Sequence, residues 1–375
     1  MQEKKKRGHR KLKIFLTIIV MLIVICVAAY NIIAYRQYHF DSAAIKNLNK
    51  ANMTEKQVEL EDGSILNYGE SEDNGKTPLL LLHGQMVSWE DYANVLPALV
   101  KSYKVYALDY YGHGGSSKNY EKYNCVNIGG DVIWFIENVI GEPCILSGHS
   151  SGGLIATYVS ANAQDLVLGL VLEDPPYFAS SDPDRIEQTF AWRDGFLPIH
   201  NYLGQTAETN YTRWYLENCY MQTFWKEGWK PLVLDPYLKE IEKNSDEIPR
   251  VWALPAGFNN ASVALTANVQ NGTGEYDLLF GDTFYDLSWY EGFDEETALS
   301  AIKCPTVYLH CAAGYGDGYY DANGVLLAAC DADDAARAAA LIDDCSLIDN
   351  VKSGHDIHSE KPDIFIDAIK ALGIE

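Results

Sequence analysis

The chain has 375 residues, 47% of them hydrophobic and 22% charged, a globular composition that excludes a disordered tail protein, a collagen-like repeat and a small disulfide scaffold. Its formal charge of -23 is unevenly spread: residues 1 to 13 carry seven Lys or Arg against Glu3, which leaves -29 on the rest. A body that acidic repels phosphate backbones, which argues against nucleic acid as a partner.

From Ile14 to Tyr35 no residue is charged, and the stretch Ile14 to Tyr30 is almost wholly apolar. A helix of that length reaches about 33 Å, enough to cross a hydrocarbon layer of about 30 Å. Basic residues before the span and an acidic chain after it predict a single-pass membrane protein with a cytoplasmic start and an extracytoplasmic body. The alternative is secretion after cleavage of a signal peptide, with Val27 and Ala29 at acceptable positions and Arg36 soon after. The length of the apolar core favours the anchor, and bulky Ile25 argues against a lipid-modified Cys26. Seven further cysteines are scattered without a CxxC pair, so neither a zinc site nor a dense disulfide framework is expected. Four Asn-x-Ser/Thr sequons, at Asn52, Asn210, Asn260 and Asn271, matter only in a glycosylating host.

After a polar linker through about residue 52, short apolar runs bounded by Gly, Pro or Asp alternate with amphipathic segments. Lys56 to Leu60 and Ile65 to Tyr68 read as a hairpin; Pro78 to His83, Tyr103 to Asp109, Pro143 to Ser147, Val167 to Glu173, Thr306 to His310 and Ser346 to Val351 read as strands. Helices are predicted at Asp91 to Val100, Cys125 to Ile140, Gly152 to Ala163, Asp333 to Ile342 and Pro362 to Leu372. That rhythm predicts an α/β fold with a mainly parallel sheet and helices on both faces. Between Phe178 and Glu295 the rhythm breaks: 118 residues hold 22 aromatics while the other 257 hold 23. This segment reads as a helical cap insertion, with helices at Ile186 to Arg193, Thr206 to Tyr220 and Pro236 to Ile241. Its aromatics serve either its own small core or an apolar substrate pocket, and both can hold together.

Cys144 to Ser147 runs into Gly148-His149-Ser150-Ser151-Gly152-Gly153 and then an apolar helix, the GxSxG arrangement in its strand, turn and helix context. A nucleophile at the apex of so tight a turn needs small residues two before and two after it, and Gly148 and Gly152 meet that need. The helix behind it aims N–H groups at the reacting centre, where negative charge develops. A serine hydroxyl also needs a base. His355, in a loop beyond the last strand, is the candidate; His358 reads as support and His149 as structural. Leu81-Leu82-His83-Gly84-Gln85 closes a strand, and the backbone N–H of Gln85 with that of Ser151 would form an oxyanion hole. The Gly-rich loop from Asp109 to Ser117 lacks a phosphate-binding lysine and reads as structural.

Strand-HG, the DxxGHGxS loop, GHSSGG and the late GHxxHxExP, in that order, resemble the α/β-hydrolase superfamily with a cap insertion, in its esterase, lipase and haloperoxidase-like group. The resemblance covers residues 56 to 177 and 296 to 375. It implies an acyl-bond hydrolase with Ser150 as nucleophile, His355 as base and acid, Gln85 and Ser151 as oxyanion donors, a small apolar acyl substrate, and no need of a metal or organic cofactor. Members with an aspartate nucleophile, such as dehalogenases and many epoxide hydrolases, are disfavoured by Ser150. The expected organisation is a basic head (1–13), a transmembrane anchor (14–35), a hydrolase core (53–177 and 296–375) and an aromatic cap (178–295).

The third catalytic group is where the chain departs from that pattern. The family's usual acid follows the strand Thr306 to His310, but Cys311-Ala312-Ala313-Gly314 stands there and the first acids are Asp317 and Asp321. Asp174, after Leu172-Glu173 and before Pro175-Pro176, is the favoured alternative. The unusual loop also keeps open a catalytically silent binding protein, alongside an aminopeptidase, an amidase or a carbon-carbon bond hydrolase of the same fold.

Overall fold

A computed structural model describes residues 2–38, 42–243, 276–311 and 318–374. Eight strands form one sheet: β1 (Thr54–Glu59), β2 (Ile65–Glu70), β3 (Pro78–Leu82), β4 (Lys104–Asp109), β5 (Cys144–His149), β6 (Val167–Glu173), β7 (Thr306–Cys311) and β8 (Cys345–Val351). Their spatial order is β1-β2-β4-β3-β5-β6-β7-β8. The hairpin β1–β2 and the β2–β4 pair are antiparallel; every other pair is parallel.

The edge strands β1 and β8 are largely exposed and carry polar residues, whereas strands β3 to β7 read as mainly apolar runs because both faces are covered. Period-2 alternation divides their side chains between two cores. Leu80, Leu82, Leu108, Leu146, Leu170 and Leu172 face the helices Cys125–Phe135 and Ser151–Asn162. Leu79, Leu81, Val105, Ile145, Val171 and Leu309 face Leu96, Leu99 and the helix Pro362–Ala371.

Several expectations shift for local reasons. The expected linker before residue 52 contains a helix, Ser42–Ala51, which buries Ala51, packs Leu48 against the second core and joins Asn47 to Asn94. The helix expected from Asp91 becomes a 3-10 turn, Trp89–Asn94, and a single α turn, Leu96–Leu99, because Pro97 cannot donate to a continuing ladder. Asn210 caps the helix Tyr211–Asn218 by accepting from Arg213 N at 2.9 Å, so that helix starts later than Thr206. The same cap buries Asn210, which removes it as an acceptor for a glycan; Asn260 and Asn271 lie outside the described residues.

At the amino end one helix runs Gln2–Tyr38, and its apolar side chains from Leu12 to Tyr35 are largely exposed. Residues His9–Tyr35 are long and apolar enough to cross a membrane. The described residues between β6 and β7 are mainly helical, with Leu197–Leu203 and Leu278–Tyr285 added to the expected elements, while the helix expected at Ile186 to Arg193 is a 3-10 turn, Ile186–Gln188, broken at extended Thr189. Phe196 stacks on Phe284 and Phe284 on Trp289, at centroid distances of 5.1 and 4.7 Å. The loop after β7 docks on this insert: Phe190 N donates to Leu326 O and Leu326 N to Gln188 O, each at 2.7 Å.

Candidate active site

Ser150 sits between β5 and the helix Ser151–Asn162 with φ 54° and ψ -122°, a conformation that costs an L-residue of order 1–3 kcal/mol. Its N–H donates to Glu173 O at 2.9 Å, and its carbonyl accepts from Gly153 N at 2.9 Å. The flanking glycines are steric necessities. A Cβ on Gly148 would lie 2.2 Å from Gly152 O, and one on Gly152 would lie 2.3 Å from the carbonyls of Leu82 and His83.

Beyond β3 the chain leans on this elbow: a Cβ on Gly84 would lie 3.2 Å from Ser150 Cβ. Gln85 follows, its Oε1 accepting from Tyr276 OH of the insert at 2.9 Å. Ser151 is buried, with Oγ 2.8 Å from Tyr110 OH.

His355 reaches the site from the loop after β8. Its Nδ1 is 2.7 Å from Asp174 Oδ2, and its carbonyl accepts from His149 Nε2 at 3.2 Å. Burial lowers the affinity of the ring for a proton, but the hydrogen bond and charge of Asp174 outweigh it and raise the pKa to about 9. Asp174 itself is fully buried just past β6, with φ 48°. Burial pushes its pKa up, yet hydrogen bonds from His310 and His355 hold it below the usual carboxylate range.

The other candidates lie elsewhere. Asp321 accepts from Tyr220 OH at 2.7 Å and from the N–H groups of Asn323 and Val325, which fixes it as a loop brace facing the insert. Asp317 lies outside the described residues. His358 is buried between Glu173 (2.9 Å from Nδ1) and Asp91 (3.1 Å from Nε2). Burial disfavours its charge, but those two carboxylates raise its pKa well above the ordinary value. Burial lowers the His149 pKa to about 4, so that ring is neutral. The Asp109 loop is braced on itself: Asp109 accepts from Trp89 N, Asn67 Nδ2 and Gly115 N.

Two side chains at the site carry no signal in any family motif. His310 Nδ1 lies 3.0 Å from Asp174 Oδ1, and Cys311 donates its N–H to Oδ1 at 3.1 Å and its thiol to Oδ2 at 3.0 Å. The departure from the family pattern after β7 marks where they stand.

Ser150, His355 and Gln85 share a cavity of about 470 Å³ that Phe190, Phe196 and Phe284 of the insert also line. Leu327 and Ala328 of the loop after β7 complete it, and among the described residues no Lys or Arg lines it. Asp91, His149 and His358 bring potential metal-ligating atoms within 4.8 Å of one another. Both His358 nitrogens already hold carboxylates and His149 Nε2 holds a carbonyl, so the trio fits a hydrogen-bond network. The arrangement can supply a nucleophile, a base oriented by a carboxylate, and N–H donors beside them.

Residues 79–368 match the family described as alpha/beta hydrolase. The chain is 34% identical over 97 residues to a soluble epoxide hydrolase of Corynebacterium, covering 26% of this chain and 34% of that protein. It is 26% identical over 241 residues to an (E)-2-((N-methylformamido)methylene)succinate hydrolase of Acinetobacter baylyi, covering 63% of this chain and 76% of that protein. The chain thus spans about a third of the first curated relative but three quarters of the second. The crystal structure of a membrane phospholipase A, a bacterial virulence factor, superposes with a TM-score of 0.57 at 20% identity, covering 96% of this chain and 97% of that one, a likeness of fold.

Proposed function

Because the chain belongs to the α/β-hydrolase family, we propose that it cleaves an ester or related acyl bond through an intermediate acylated on Ser150. One observation carries this reading: Ser150 and His355 line a single cavity, and His355 lies 2.7 Å from a buried carboxylate that can orient it. The likeness to an epoxide hydrolase does not bring that activity with it, because Ser150 stands where the resemblance predicts an aspartate for such members.

In this mechanism His355 keeps one proton on Nδ1 for Asp174 and takes the Ser150 hydroxyl proton on Nε2 as Oγ attacks the acyl carbon. The backbone N–H groups of Gln85 and Ser151, with the amino end of helix Ser151–Asn162, stabilise the oxyanion. His355 passes its proton to the leaving group. Water then enters, loses a proton to the same nitrogen, and releases the acid and free Ser150. The phenylalanines and the absence of lining Lys or Arg among the described residues support a neutral, apolar acyl group. Residues 178–295 act as the cap that supplies these phenylalanines. The long apolar helix and its basic head support a single-pass anchor with the catalytic body outside the cytoplasm.

A fluorophosphonate probe should label the wild-type chain at Ser150 and leave Ser150→Ala unlabelled. The same variant should lose short-acyl p-nitrophenyl ester turnover by about 10³-fold or more. A folded wild-type chain that is neither labelled nor active would overturn the reading.

A further inference from the structure

The carboxylate that orients His355 carries a second imidazole. Asp174 Oδ1 accepts from His310 Nδ1 at 3.0 Å and from Cys311 N at 3.1 Å, while Oδ2 faces His355 at 2.7 Å and the Cys311 thiol at 3.0 Å. Burial pushes the Cys311 thiol well up, so it stays a donor. His310 and Cys311 end β7, the strand after which the family pattern expects its acid. Here that strand end supplies donors, and the acid sits one strand over at the end of β6.

We propose that His310 is a positioning residue: held as the Nδ1–H tautomer, it donates to Asp174 Oδ1 and so turns Oδ2 toward His355. This rests on the serine-hydrolase reading above. His310 is fully buried, and its ring stacks on Tyr319 at 5.7 Å and 9°. Its Nε2 is buried with no hydrogen-bond partner among the described residues. A bare lone pair there costs less than an unpaired N–H would, which selects the tautomer with its hydrogen on Nδ1. Among the described residues the titratable groups around the ring are Asp174 at the end of β6, Cys311 and Tyr308 on its own strand, Cys330 with Sγ 3.9 Å from Nδ1, Tyr319, and half-exposed Asp349 on β8 at 4.0 Å from Nε2. His355 faces it across the shared carboxylate. Among the described residues Nδ1 meets Asp174 Oδ1 at 3.0 Å and Cys330 Sγ at 3.9 Å, so the carboxylate is the nearer and stronger partner.

Removing the donor would leave Asp174 more basic. Its hold on protonated His355 would then strengthen while its orientation loosened. For the full chain in detergent, His310→Leu should lower kcat for a p-nitrophenyl ester by about 10- to 100-fold, the scale of lost orienting partners elsewhere. KM should change little, and the acid limb of kcat/KM should move to higher pH. His310→Asn, whose amide can stand where Nδ1 stands, should restore most of kcat and the wild-type midpoint. A folded His310→Leu with unchanged kcat and midpoint overturns the proposal, as does an Asn variant no better than Leu. Should the Leu variant fail to fold, long-range 1H–15N spectra of the wild type decide: an Nδ1–H pattern for the resonance lost in His310→Asn supports the proposal, and an Nε2–H pattern overturns it. A wild type that is inactive and unlabelled at Ser150 would instead sink the underlying reading, whichever tautomer His310 holds.

Discussion

Asp174 Oδ2 lies 2.7 Å from Nδ1 of His355 although 181 residues separate them in the chain. The contact exists because β6 and β8 flank β7 and all three run parallel, so the loops after β6 and β8 open at the same edge. Asp174→Asn keeps the volume but removes the charge and allows the wrong imidazole tautomer. It should lower kcat by about 10⁴-fold, the scale known for this change in a triad. Asp321→Asn, a brace for Tyr220, should leave kcat within a few-fold. Initial rates on one ester for both variants decide between the two acids, and the reverse ranking would reassign the role.

The pH dependence has a definite sign. His355 must be neutral to accept the serine proton, and Asp174 outweighs burial to raise its pKa to about 9. Its side chain is 41% exposed, so water screens part of that effect. The acid limb of kcat/KM should therefore have a midpoint above the ordinary histidine value of about 6.5 and no higher than about 9. A profile already flat at pH 6 would show that Asp174 does not hold the proton on His355.

What could be read from the sequence follows from how local each signal is. Strands β3 to β7 were legible because burial on both faces demands short apolar runs between turn residues, and the more exposed β1 and β8 by the turn residues that flank them. The elbow was legible because its strain requires Gly148 and Gly152 by steric necessity. The acid was only half legible: the Pro175-Pro176 that follows favours Asp174, but its link to His355 is made by sheet order, which no local pattern encodes. His310 looked like the end of a strand, and its role depends on a carboxylate 136 residues away. The helix Ser42–Ala51 gives a weak signal because Ile45 is exposed and only Leu48 and Ala51 pack into the core.

The cavity wall sets a preference that can be measured. With phenylalanines lining the same cavity as Ser150, and no Lys or Arg lining it among the described residues, a carboxylate on the acyl chain would be desolvated with no Lys or Arg to pair with it. Butyryl p-nitrophenyl ester should exceed the hemisuccinate ester in kcat/KM by at least about tenfold, equivalent to about 1.4 kcal/mol. Equal rates would mean that a cation outside this wall reaches the substrate.

Glu295 ties the two ends of the insert together. Its Oε2 accepts from Phe178 N at 2.8 Å and Ser181 Oγ at 2.7 Å, while Oε1 is buried with no hydrogen-bond partner among the described residues. Burial raises its pKa from 4.5 to about 7, with Ser181 and Phe178 opposing, Asp334 adding to the rise and Arg337 reducing it. Between those values the folded chain holds a proton that the unfolded chain has released, so this group makes stability fall as pH rises from about 4.5 to 7. The cost, on the order of 3 kcal/mol, is complete above 7. Glu295→Gln should remove that part of the slope. Thermal melts at pH 5 and pH 8 should differ less for the variant than for the wild type, and equal differences would refute the assignment.

Two glycines in neighbouring helices should answer the same substitution in opposite ways. A Cβ on Gly152 would lie 2.3 Å from two backbone carbonyls of β3 and its loop, atoms with no freedom to rotate away. Gly152→Ala must therefore push the helix Ser151–Asn162 off the sheet, costing about 1–3 kcal/mol of stability. It also displaces the Ser151 N–H from the oxyanion, so kcat should fall by about 10²-fold or more even at temperatures where the variant is fully folded. Gly130, inside the helix Cys125–Phe135, has nothing within 4 Å of where its Cβ would stand. There alanine only removes backbone freedom from the unfolded chain, and Gly130→Ala should add about 0.5–1 kcal/mol with activity unchanged. Denaturant melts and ester rates on the two variants separate these effects. A Gly152→Ala chain with wild-type stability and rate would mean that the elbow is far looser than a 2.3 Å approach allows.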